Sequence, residues 1–142
     1  MVDDHSRPDG LDDATVEALG KLGEALEATE HARGHLYAFH RTTGRSDLLL
    51  GEAVDLFREA GHPELADRLA TELVGRNVIA DRWTFQLVED YDDNYWSAFR
   101  ELEREARDRL AGGRRHLYEA EMKAERRTHG APHHEAGPGA AG

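Results

Sequence analysis

Leu19-Gly20-Lys21-Leu22-Gly23-Glu24-Ala25-Leu26-Glu27-Ala28-Thr29-Glu30-His31-Ala32-Arg33-Gly34-His35-Leu36-Tyr37-Ala38-Phe39-His40 decides the fold class. Leu19, Leu22, Leu26, Leu36 and Tyr37 recur at steps that keep them on one side of a helix, and no run alternates as a strand would. The same stretch holds three glutamates, three histidines, an arginine and a tyrosine, so it also concentrates the side chains that ligate metals and move protons.

Working outward, Asp12 or Asp13 is a natural N-cap, and a first helix is expected from there to about Thr42. Thr42-Thr43-Gly44-Arg45-Ser46 reads as a break, with Ser46 capping a second helix to about Ala60 and Gly61 as its C′ residue. Leu49, Leu50, Ala53, Val54 and Phe57 are its expected inner face. His62-Pro63 opens a third helix with proline in the first turn, carrying Leu65, Ala66, Leu69, Ala70 and Leu73. Gly75-Arg76-Asn77 is the next weak point, and Asn77 to Arg82 fits either a loop or a continued helix. A long fourth helix is expected from about Trp83 to Leu110, where Gly112-Gly113 interrupts. A charged fifth stretch, about Arg114 to Arg127, has few apolar anchors and reads as an arm. The expected fold is all-α: a four-helix up-and-down bundle with an extra charged C-terminal helical arm. Residues 1–11 read as a flexible leader, 12–128 as a single helical domain, and the Gly/Pro/Ala-rich 129–142 as a disordered tail.

Composition narrows the function. The chain has 142 residues and no cysteine, which excludes disulfides, thiolate metal sites and cysteine nucleophiles. Net charge is −11, and it is uneven: residues 1–99 hold 9 Lys/Arg against 21 Asp/Glu, residues 100–129 hold 9 against 7. Such a balance opposes a nucleic-acid partner. No apolar run approaches the ~18 residues of a membrane span, and the N-terminus lacks the basic and apolar regions of a signal peptide. A cytoplasmic protein with no membrane partner is expected.

Helical phase divides the polar residues of the opening stretch. Glu27, His31 and His35 follow at i, i+4 and i+8 on the outer side, with Glu24 beneath, as a ladder suited to a divalent metal such as iron or zinc. The competing reading is a solvated face with an ordinary Glu27–His31 pair. Glu30, Arg33, Tyr37 and His40 fall on the leucine side, where unpaired charge is costly. They read either as a ligand pocket inside the bundle or as a Glu30–Arg33 ion pair at its edge. On the fourth helix Trp96 and Phe85 lie off the main stripe, either as at a subunit interface or with Trp96 packed under the chain's own C-terminal arm. In the acidic run Glu89-Asp90-Tyr91-Asp92-Asp93-Asn94, Glu89 and Asp93 either belong to a solvated face or complete a metal site begun elsewhere.

His31–His35 resembles the His-x-x-x-His pair of hemerythrin-like bundles, but its usual His-x-x-x-Glu companion is missing. Ferritin-like di-iron bundles use Glu-x-x-His on two helices, whereas the only example here, Glu59-Ala60-Gly61-His62, straddles a helix end. The chain is assigned to neither family, and it has no HExxH, Walker, GxGxxG or GxSxG motif. Three functions compete: a homo-oligomeric interaction module, a His/Glu metal-binding bundle or oxidoreductase, and a small-molecule binder.

Overall fold

The computed structural model describes residues 5–137; the first four residues of the expected leader and the last five of the expected tail lie outside them. The protein is all-α: α1 (Asp13–Glu59), α2 (Pro63–Glu72), α3 (Thr84–Asp90), a π-helical segment (Tyr91–Trp96), α4 (Ser97–Ala111) and α5 (Leu117–Arg126). Among the described residues there is no strand. The chain forms two compact units, one from 1–28 and 99–142, the other from 29–98, with α1 contributing to both.

The break expected at Thr42–Ser46 does not occur, and the first two expected helices are one helix of 47 residues. The reason lies on the inner face. Leu36, Thr43, Asp47, Leu50 and Val54 are all buried or half-buried and keep helical phase straight through the Thr-Thr-Gly segment. Asp47 Oδ1 accepts a hydrogen bond from the Gly75 amide at 2.8 Å. Interior packing of this kind outweighs the weak local propensity of threonine and glycine.

In the first unit, α1 starts as expected: the Thr15 amide donates to Asp12 Oδ1 at 2.8 Å, and hydrogen bonding from Thr15 holds that carboxyl below its usual range. Val16, Ala111 and Leu117 form its buried core, with Leu11 and Leu19 packed against them. The expected arm is corrected by this arrangement. Leu117 is only 4 % exposed and belongs to the core, and Tyr118 packs so closely on α1 that a Cβ on Gly20 would lie 3.1 Å from its Cβ. The chain reaches α5 through Gly112 and Gly113, both at positive φ, and through His116 at φ 57°. Arg7 donates to both Glu121 oxygens, at 3.0 and 2.9 Å, and to Asp13 at 2.6 Å, which raises its pKa.

In the second unit α1 ends where expected. Gly61 sits at φ 89°, its amide donates to the Arg58 carbonyl, and the His62 amide donates to the Phe57 carbonyl at 2.9 Å. This is a Schellman closure, with the Phe57 and His62 rings meeting edge-on across it. Pro63 then opens α2 in its first turn. Residues 77–82 are a loop, closed by a turn in which the Arg82 amide donates to the Ile79 carbonyl at 3.1 Å and Asp81 takes φ 63°. α3 begins at Thr84, and Gln86 Oε1 accepts from the Trp83 amide at 3.0 Å. The expected fourth helix is interrupted in register by the π segment: the Ser97 amide donates five residues back, to the Asp92 carbonyl. Buried apolar residues in this unit are Val54, Ala66 and Val88.

Candidate functional site

Arg33 is the centre of the most connected polar cluster in the second unit. Its Nε donates to Asp92 Oδ1 at 2.6 Å and a terminal nitrogen donates to Oδ2 at 3.0 Å, a two-pronged pair. The guanidinium carbon lies 4.0 Å from the centre of the Trp96 ring and 4.7 Å from that of Tyr37. The Tyr37 hydroxyl donates to Asp92 Oδ2 at 3.3 Å. Nearby, the Tyr91 hydroxyl donates to the Thr29 carbonyl at 3.3 Å, and the Tyr91 and Tyr95 rings are 5.4 Å apart.

α1 presents Arg33 and Tyr37 one turn apart on one face, and the π segment supplies Asp92 and Trp96. Hydrogen bonds from Arg33 hold the Asp92 carboxyl below its ordinary range, with smaller help from Tyr37, and Asp92 in turn raises the Arg33 pKa. Both groups therefore stay ionised and spend their charge on each other. The cluster ties α1 to the π segment and offers a low-pKa anion and a ring-stacked cation, not a proton donor working near neutrality.

The four residues expected as a ligand pocket are thus divided. Arg33 and Tyr37 share the Asp92 cluster. Glu30 is exposed and reaches Arg33 only through space. His40 lies apart, with its Nδ1 2.7 Å from Thr84 Oγ1 at the start of α3. Asp92 is the partner that sequence reasoning missed. It stands in the acidic stretch 89–93, one turn after the buried Val88, and meets Arg33 from the first turn of the π segment.

The expected metal ladder is divided as well. His31 and His35 approach with their Nε2 atoms 2.8 Å apart and their rings 4.7 Å apart, so two imidazole nitrogens converge on an exposed face. Glu27 instead meets His116 and Glu119 in the first unit, where one ligand atom from each lies within 4.8 Å of the others. The three are exposed, and His116 Nδ1 stands 3.9 Å from Glu119 Oε2. The position of His116 at the left-handed start of α5 carried no signal in the sequence.

Of the expected interface pair, Trp96 lies beneath Arg33, and Phe85 is exposed with Trp83 5.3 Å away. α2 carries a shallow groove lined by Leu65, Leu69 and Leu73, with Arg68, Glu72 and Arg76 at its edges. No helix of the described residues is long and apolar enough to cross a membrane. No protein-family model, curated protein or solved structure matches the chain.

Proposed function

We propose that this protein is a small acidic helical interaction module that works as a homo-oligomer in the cytoplasm. One observation carries the reading: in residues 29–98, exposed large apolar side chains far outnumber buried ones. Leu48 is 74 % exposed, Leu56 63 %, Trp83 57 % and Leu49 50 %, while the buried apolar residues are Val54, Ala66 and Val88. Apolar surface left in water forfeits about 25 cal/mol per Å², and contiguous exposed patches mark association surfaces. The up-and-down bundle belongs to the same reading, with helices of a second copy covering the faces that one copy leaves open. Commitment of Arg33 to Asp92 favours this reading over a small-molecule pocket at Glu30, Arg33, Tyr37 and His40. Light scattering on a sizing column tests it: a dimer or larger closed assembly is expected, and a monomer over the whole concentration range overturns it.

A second reading, a divalent metal protein, is favoured by the convergence of Glu27, His116 and Glu119. One imidazole and two carboxylates suit zinc or iron and leave coordination positions open. Untagged protein equilibrated with zinc should retain the ion after dialysis, and His116→Ala should lose it. Equal retention by His116→Ala removes this site, and loss in His31→Ala and His35→Ala instead moves the metal to the ladder's histidine pair.

A further inference from the structure

Residues 5–7 are fastened to α5 and the connection before it at three points. Arg7 holds both carboxylate oxygens of Glu121. Arg114 donates to the Ser6 carbonyl at 2.6 Å and to Ser6 Oγ at 3.1 Å. His5 Nδ1 meets the Arg115 carbonyl at 2.8 Å. Together these bonds set the His5 ring 6.3 Å from the His116 ring, centre to centre, with the two planes 52° apart. None of them uses the His116 side chain. His116 occupies the N-cap position of α5, yet its imidazole makes no capping bond. It turns toward Glu119, and one ligand atom each from Glu27, His116 and Glu119 lies within 4.8 Å of the others.

Resting on the metal reading above, we propose that His5 is the fourth ligand of the Glu27, His116 and Glu119 site, and that the site is a closed one for zinc. A carbonyl oxygen only accepts, so the bond to Arg115 puts the hydrogen on His5 Nδ1 and, in the neutral ring, makes Nε2 the basic nitrogen. Ligating imidazoles characteristically anchor their other ring nitrogen in this way, on a carbonyl or a carboxylate. Two carboxylates and two neutral imidazoles carry the charge that balances a divalent ion. Four protein ligands of nitrogen and oxygen suit tetrahedral zinc and fill a position that three would leave to water.

Distance permits the closure. Two imidazoles on one tetrahedral zinc hold their ring centres about 5 Å apart, given ~2.1 Å for each Zn–N bond. From 6.3 Å the His5 ring has to approach by about 1 Å, which a side-chain rotation supplies. The four residues come from three separate stretches of chain: the segment before α1, α1 itself and the start of α5. All belong to the unit formed by 1–28 and 99–142. The His31–His35 pair, by contrast, offers two nitrogens from one helix. An ion bound by His5 therefore ties the segment before α1 to α1 and α5, and its binding energy adds to the stability of that unit.

The chain has nine histidines, so ring-nitrogen NMR of the untagged protein, isotope-labelled at histidine and assigned with single His→Ala variants, reads the ligands one by one. One equivalent of zinc should move the Nε2 signal of His5 together with the ring signals of His116. Zinc affinity, measured by competition with a chromophoric chelator, should fall at least about tenfold in His5→Ala. Helicity by circular dichroism should stay unchanged in that variant, because residue 5 lies outside every helix. Zinc that moves His116 but not His5, or an unchanged affinity in His5→Ala, overturns the fourth ligand and leaves the metal reading standing. Zinc that moves neither ring overturns both.

Discussion

Replacing Leu117 by alanine measures how far α5 is part of the fold. Leu117 is 4 % exposed and shares its cluster with Val16 and Ala111, with Leu11 and Leu19 at the margin. The substitution removes three carbons, worth about 2.4 kcal/mol at ~0.8 kcal/mol per buried methylene. A cavity term comes on top and carries such changes to ~2–5 kcal/mol. Leu11 and Leu19 are only partly buried and can relax into the space, so the lower part of that range, about 3 kcal/mol, is expected. For a chain of this length one kcal/mol moves Tm by about 3–4 °C, giving a fall of roughly 10 °C. Far-UV circular dichroism on heating reads it directly. Met122→Ala on the same helix is the control: its side chain is 42 % exposed, and a change within about 0.5 kcal/mol is expected. Equal, small shifts for both variants would refute the packing argument and leave α5 outside the core of its unit.

Other outcomes follow from the same contacts. Gly34→Ala meets nothing within 4 Å and should raise stability by about 0.5–1 kcal/mol, whereas at Gly20 the close approach of Tyr118 should cancel that gain; paired thermal melts separate the two. Asp92 titrates below its ordinary 3.8 in the folded chain, so its contribution is complete above that pH and is lost as the pH falls through the folded value. Asp92→Asn should therefore flatten the acid limb of a stability–pH curve below pH 3.8 and leave its slope near neutrality unchanged. Arg33→Lys keeps the charge but gives up the two-pronged bond and the stacking on Trp96, so it should lower Tm and increase the quenching of tryptophan fluorescence by acrylamide.

Much of this was legible in the sequence. The caps are short-range chemistry, so the sequence narrows the N-cap of α1 to Asp12 or Asp13 and places Gly61 and Pro63. The polar site was half legible: phase alone put Arg33 and Tyr37 on the inner side, yet the residue that neutralises Arg33 stands 59 positions away. Two features defeated periodicity. Thr42-Thr43-Gly44 looks like a helix break because propensity is local, while the inner stripe that carries the helix across it depends on packing. The π segment is invisible to any fixed period, and it changes which residues of the fourth helix point at α1. His116 was missed for a different reason: histidine adopts the left-handed backbone more readily than most residues, but one such residue leaves no pattern in the sequence.

The π segment also makes the chain sensitive to counting. It holds one residue more than an α-helix would use over the same turn, so removing a single residue between Tyr91 and Trp96 leaves the backbone ladder able to close as an ordinary helix. The deletion costs the backbone little, and because the wide turn absorbs its extra residue locally, α4 keeps nearly its present phase relative to α3. What changes is the segment itself: Asp92 and Trp96, four apart now, would stand three apart, and the two-pronged bond to Arg33 and the stacking on Trp96 would have to be remade together. The number of residues in that turn, as well as the identity of its side chains, therefore sets the spacing of the anion and the ring that hold Arg33.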